Sequence, residues 1–206
     1  MGLVKPDQKA ENGEGLAPPH QLETLLADLT APEASRRRAA ARALADHPTA
    51  AAALCDQLEI ETAVSVRAVI LTSLIRLQSP AIGARLAGLL RSDDAALRNA
   101  AIEALQGMPK AVAPHLDALL ADPDPDVRLF AVNILAELHY APAPDWLLRV
   151  IREDTHVNVC AAAVDGLAEC GTPEMIADLE RLRERFSGYP FMAFAIETAI
   201  RRIRGT

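Results

Sequence analysis

The chain has 206 residues, half of them apolar and only 3% aromatic, with a formal charge of −7 and a pI near 5.2. That acidic balance excludes a general nucleic-acid binder, whose affinity comes mainly from Lys and Arg neutralising phosphates. The start carries no apolar export segment and no apolar run reaches membrane-spanning length, so the expectation is a cytoplasmic protein with no membrane contact. The three cysteines, Cys55, Cys160 and Cys170, are an odd number without framework spacing and read as reduced thiols.

Residues 1–19 carry Lys5, Asp7, Lys9, Glu11, Glu14 and three glycines, with little apolar content. Such a segment cannot bury enough surface to offset its ordering entropy, so a flexible tail is expected there, followed by one repeat domain over residues 20–206. The apolar stripe Leu22, Leu25, Leu26 and Leu29 opens that domain with spacings of three and four, the mark of a helix with one buried face. Beyond it a pattern begins to recur. Arg37 is followed seven residues later by Leu44, Arg67 by Leu74, Arg98 by Leu105, Arg128 by Leu135, and Cys160 by Leu167. A sixth, looser copy has Met192 at the marker position and Ala199 at the Leu position. Marker spacings of 30, 31, 30, 32 and 32 residues predict stacked supersecondary units.

Small or apolar residues recur three positions after the marker (Ala40, Ile70, Ala101, Ala131, Ala163, Ala195) and mostly apolar ones stand just before it (Val66, Leu97, Val127, Val159, Phe191, with Arg36 in the first copy). These offsets share one helical face, here named helix B. Each B helix follows another amphipathic stretch, helix A: Ile82 to Leu90, Leu116 to Leu120, Trp146 to Ile151 and Ile176 to Leu182 are the clearest. Prolines punctuate the joints, and Ser79-Pro80 and Thr172-Pro173 read as an N-cap followed by Pro at the first helical position. Asp94 to Arg98 and Asp124 to Arg128 stand four apart, as ion pairs across a helix start. The prediction is an all-α, right-handed α-solenoid (α-α superhelix) of about six helix pairs.

The stretches from Asp122 to Leu138 and from Ser92 to Leu105 resemble the HEAT-like repeat of the phycobilisome-lyase type, with a turn Asp, a Val-Arg or Leu-Arg pair and an Ala…Leu pattern. Two copies depart: the fifth has Cys160 for Arg, and the second lacks the turn Asp. The resemblance implies the solenoid fold and B helices lining its concave side. It specifies no function by itself.

No catalytic or metal-binding set is expected, and no cofactor. His156 and Cys160 lie four apart but lack a third group to orient them. The di-iron hydroxylases of this fold use His-Glu pairs, and none of the five histidines is followed by Glu. The basic run Arg36, Arg37, Arg38 and Arg42 suggests the groove of HEAT-like DNA glycosylases, but it stops after one repeat, and a solvated helix face explains it better. The aromatics Phe186, Tyr189, Phe191 and Phe194 are expected to close the core of a terminal repeat, and Trp146 to be core.

What is left is a surface. Offset +1 gives Arg38, Ala68, Asn99, Leu129, Ala161 and Ala193; offset +5 gives Arg42, Thr72, Glu103, Asn133, Asp165 and Glu197. These form the candidate binding face, with Leu129 as its apolar anchor. The expected function is a non-enzymatic interaction module or scaffold that binds a protein partner there. The alternative is an accessory or lyase-like subunit of the bilin-attaching kind, which the resemblance suggests.

Overall fold

The computed structural model describes residues 19–138 and 140–205. The tail expected over residues 1–19 lies outside them, except that Pro19 starts the first helix. Twelve α-helices follow in chain order: α1 (Pro19–Leu29), α2 (Ala34–Ala43), α3 (Ala51–Ile60), α4 (Val64–Leu77), α5 (Pro80–Gly88), α6 (Ala95–Gln106), α7 (Pro109–Leu120), α8 (Pro125–Glu137), α9 (Ala143–Glu153), α10 (Val157–Cys170), α11 (Ile176–Arg185) and α12 (Pro190–Arg204). No strand occurs among the described residues. Odd-numbered helices are the A helices and even-numbered ones the B helices. Each B helix packs on its own A helix and on the B helices of adjacent repeats, while α5 packs on α3 and α7, and α9 on α11. This is an all-α solenoid of six helix pairs.

Local chemistry sets the boundaries. The Ser79 hydroxyl accepts from the Ile82 N–H at 3.2 Å, and Pro80 follows it at the first helical position. Asp94 caps α6 by accepting from the N–H groups of Ala96 and Leu97, and Asp124 caps α8 through Asp126. Thr172 does not act as a cap. Pro173 after it opens one 3-10 turn, and α11 begins only at Ile176.

The predicted core columns are buried. Leu44, Leu74, Leu105, Leu135 and Leu167 have no exposed surface, and Ala40, Ile70, Ala101, Ala131 and Ala163 have almost none. Small residues let the helices approach. A Cβ on Gly83 would lie 2.1 Å from the Ala111 carbonyl oxygen, and one on Gly166 2.9 Å from Leu147 and 3.1 Å from Ala136. The Ser73 hydroxyl donates to the Ala41 carbonyl one repeat earlier at 2.8 Å.

The last repeat corrects the register read from sequence. In the first five repeats the B helix begins three residues before the marker, at Ala34, Val64, Ala95, Pro125 and Val157. Helix α12 begins at Pro190, so its marker is Ala193, not Met192. Met192, Ile196, Ala199 and Ile200 then fall at offsets −1, +3, +6 and +7, and all four are buried. The single-residue slip arose because Ala195 and Ala199 mimic the small and apolar columns one position out. Trp146 is half-buried rather than core; its ring stacks on Tyr140 with centroids 5.9 Å apart, and its indole N–H reaches Asp117 Oδ1 at 3.3 Å.

Candidate functional site

Two polar rows run along the B helices. The first lies at the turns between A and B. In the first five repeats the marker side chain donates to the carbonyl oxygen six residues before it. Arg37 reaches Ala31 at 2.8 Å, Arg67 reaches Glu61 at 2.5 Å, Arg98 reaches Ser92 at 2.6 Å and Arg128 reaches Asp122 at 2.9 Å. Cys160 does the same with its thiol, to Asp154 at 3.3 Å. Three of the arginines also reach forward to an acid in the next turn. Arg37 pairs with Glu61 at 2.7 Å, Arg67 with Asp94 at 2.8 Å and Arg128 with Asp154 at 2.7 Å. Neither i, i+4 pair expected at a helix start forms: Asp94 caps α6 through Oδ1 and pairs through Oδ2 with Arg67 of the preceding repeat, while Asp124 caps α8 and Arg128 turns to Asp154.

Both departures from the repeat pattern are filled. The second repeat's missing Asp is replaced by Glu61, which is 1% exposed and accepts from Arg37, Gln57 and the Ala63 N–H. The Arg37 bond, opposed by burial, holds its carboxyl at about 2. In the fifth repeat Arg185, from α11, comes back to where a marker arginine would end. It donates to the carbonyls of Ile151, Arg152 and Asp154 at 2.8, 2.9 and 2.9 Å and meets the Cys160 sulfur at 3.4 Å. Asp178 is held at about 2, first by Arg152. A depression of about 560 Å³ opens beside this row between α7 and α9, where Arg149 pairs with Asp117 and Arg128 with Asp154.

The second row is the predicted face. Arg38, Arg42, Ala68, Thr72, Asn99, Glu103, Asn133, Asp165 and Glu197 are exposed, while Leu129 and Ala161 are half-buried and pack partly on the core. None of Arg38, Arg42, Glu103 and Asp165 forms an ion pair with a described residue. With the register of α12 set at Ala193, Phe194 takes offset +1 and Thr198 offset +5, and Glu197 moves to offset +4. Offset −2 joins the same face, because Ser35, Ser65, Ala96, Asp126, Asn158 and Phe191 are all exposed.

The terminal aromatics thus do not close the core. Tyr189 is 46% exposed, Phe191 49% and Phe194 68%; Phe186 alone of the four is half-buried. Their edge-to-face contacts run from Phe186 to Tyr189 to Phe191, each pair 6.0 Å apart. The aligned prolines, Pro125 at the start of α8 and Pro190 at the start of α12, were the sequence signal that would have found this.

The thiols are held protonated. Burial pushes Cys160 up to about 11, and burial raises Cys55 and Cys170 as well. That is the opposite of an activated nucleophile. Cys160 is fully buried towards Arg185 rather than facing the open B surface. His156 is the N-cap residue of α10, and its backbone N–H donates to Asp154 at 2.8 Å. Among the described residues no group of three His, Cys, Asp or Glu side chains gathers at metal-binding distance. No described helix is long and apolar enough to cross a membrane.

Twelve helices stacked in six pairs, joined by an arginine–carboxylate row at their turns, define a helical repeat protein. Residues 112–187 match the family model for HEAT repeats. Over those residues the chain carries HEAT-like repeats. No curated protein matches it. Among solved structures it is similar to the complex of CpcE and CpcF of phycocyanin lyase from Nostoc sp., at 18% identity and a TM-score of 0.38, over 98% of this chain and 100% of that one. A designed armadillo repeat protein is 17% identical with a TM-score of 0.41, over 88% of this chain and 99% of the other.

Proposed function

We propose that the protein works by binding rather than by catalysis, as an interaction module that takes a protein partner along its exposed B-helix face. One observation carries this reading. The same helices hold one polar row in which Arg37, Arg67 and Arg128 are each paired with an acid of the next repeat, and a second row whose Arg38, Arg42, Glu103 and Asp165 are exposed and join no ion pair with a described residue. A strip spanning six repeats offers a long, shallow contact surface, which suits a protein segment better than a small molecule.

A photo-reactive residue placed at Asn99, on this face, or at Ala84, an exposed position of α5, tests the proposal in cells. The expected result is a discrete protein adduct from Asn99, absent from Ala84 and reduced by Glu103→Lys with Asp165→Lys, two exposed positions. Adducts from Ala84 alone would place the partner on the A helices. Purified protein mixed with a linear tetrapyrrole should show no absorbance shift; a stoichiometric shift would favour the accessory role of the bilin-attaching kind.

A further inference from the structure

On the exposed B face, offsets −2 and +1 are occupied in the first five repeats by Ser, Ala, Asp, Asn and Arg, with Leu129 half-buried. In the sixth repeat both become phenylalanine, Phe191 and Phe194, and both stand largely in solvent with Tyr189 packed against the first. Polar residues of the same repeat are exposed on α11, at Arg181, Arg183 and Glu184, and on α12, at Glu197, and the aromatics stand apart from its buried column of Met192, Ile196, Ala199 and Ile200. They lie on the face that every repeat leaves open.

Charge along that face fixes what fits beside them. Moving from α12 towards the middle of the stack, the exposed charges are Asp165, Asp126 and Glu103, all acidic. A recess of about 380 Å³ between α8 and α10 is lined by Asp165, Glu137 and Glu169, of which Glu169 is paired with Arg202 of α12. The arginines of α12 sit in its last turn, about 10 to 15 Å along the helix from Phe194 at 1.5 Å per residue. Large apolar side chains dominate binding energy where they are desolvated, and charge complementarity sets direction and register.

We infer that Phe191, Phe194 and Tyr189 form the anchor site for an extended segment of a partner protein that carries one large apolar residue followed by lysines or arginines, the basic stretch running over Asp165, Asp126 and Glu103. This rests on the reading of the B-helix face as the partner surface. The segment enters at the sixth repeat and runs towards the third.

The test uses the full chain and a displayed library of random twelve-residue peptides. Selected peptides should combine an aromatic or large aliphatic residue with two or more basic residues, and bind at least tenfold more weakly to a Phe191→Ser, Phe194→Ser variant. Phe194→Tyr should retain binding within about threefold. Circular dichroism should show the double variant folded, because both rings are exposed; if it is not, Asp126→Lys with Asp165→Lys supplies a second readout, again with at least tenfold loss. Peptides without basic residues, or peptides that bind both forms equally, overturn the anchor site. Peptides blocked by Asn99→Trp but indifferent to both phenylalanines leave the B-helix face standing and remove the anchor alone. Peptides indifferent to all three substitutions, or no binder at all, remove both. A concentration-dependent dimer abolished by Phe194→Ser would put a second copy there instead and overturn the inference.

Discussion

The turn edge and the open face of the B helices are built from the same repeat and treat charge in opposite ways. At the turn edge Arg37, Arg67 and Arg128 each reach a carbonyl of their own repeat and an acid of the next, and all three are mostly buried. On the open face Arg42, Glu103 and Asp165 project into solvent. Polar groups withdrawn from water must be satisfied, and once satisfied they fix geometry. Charges left in water contribute little to stability and remain available to a partner. The position of a charge in the repeat, not its identity, separates what joins the repeats from what the repeats present.

The turn row is where substitution should cost most, and it contains its own control. Arg128 binds Asp154 through two nitrogens, at 2.7 and 3.1 Å, and Asp154 is only 8% exposed on its side chain. Arg128→Ala leaves that carboxylate with one backbone donor, and an unpaired buried charge costs about 3 kcal/mol. Arg98 occupies the same column one repeat earlier but has no forward acid, its Nε lacks a partner, and it lies over the Phe130 ring at 5.3 Å. Asp122, the acid that could have served it, is taken by Arg91. Arg98→Ala should therefore cost only about 1 kcal/mol. Urea unfolding of both variants checks the difference; equal losses would mean that the forward pairs are not what holds neighbouring repeats.

Acid should weaken the same row next. Glu61 and Asp178 have folded-state values near 2, lowered first by Arg37 and first by Arg152, against ordinary values of 4.5 and 3.8. Asp154 is also lowered: its burial acts upwards, but the bonds from Arg128 and the His156 N–H together outweigh it. Lowered carboxylates contribute stability that is fully present above pH 4.5 and is lost as pH falls towards 2. The melting temperature should stay level from pH 7 to 5 and drop steeply below 4.5. Arg37→Met should lower the plateau and flatten the drop. A variant that keeps the full drop would show that the linkage lies outside the Arg37–Glu61 pair.

Most of the architecture was legible because a repeat states its own register several times. Arg98-to-Leu105 and Arg128-to-Leu135 confirm each other, and the exposed columns followed from the buried ones. What escaped was of two kinds. The partner of each marker arginine was invisible, because Glu61, Asp94 and Asp154 stand 24 to 27 residues ahead and are brought near only by stacking. The last repeat was misread by one residue, because Ala195 and Ala199 satisfied the pattern where Ile196 and Ile200 carry it. That slip hid Phe191 and Phe194 in an expected core and moved Glu197 into a row where Thr198 belongs. Leu129 stood out in sequence as the one large apolar residue of its row; its half-burial shows that it also serves the core.

The smallest effect on the fold should come from the open face. Glu103→Lys with Asp165→Lys reverses two exposed charges that join no ion pair, on helices α6 and α10. Such substitutions change stability by no more than about 0.5 kcal/mol, so the melting curve should hardly move. Association with a basic, library-selected peptide should nevertheless slow, by about tenfold at low salt, because long-range attraction acts on encounter more than on the docked contact. Raising the salt shortens the Debye length from about 10 Å at 0.1 M to about 3 Å at 1 M, so variant and parent should converge there. The dissociation rate should change much less, since the aromatic anchor at Phe191 and Phe194 is untouched. A marked loss of stability would assign these carboxylates to the fold. An unchanged association rate at low salt would mean that the acidic half of the face does not steer its partner.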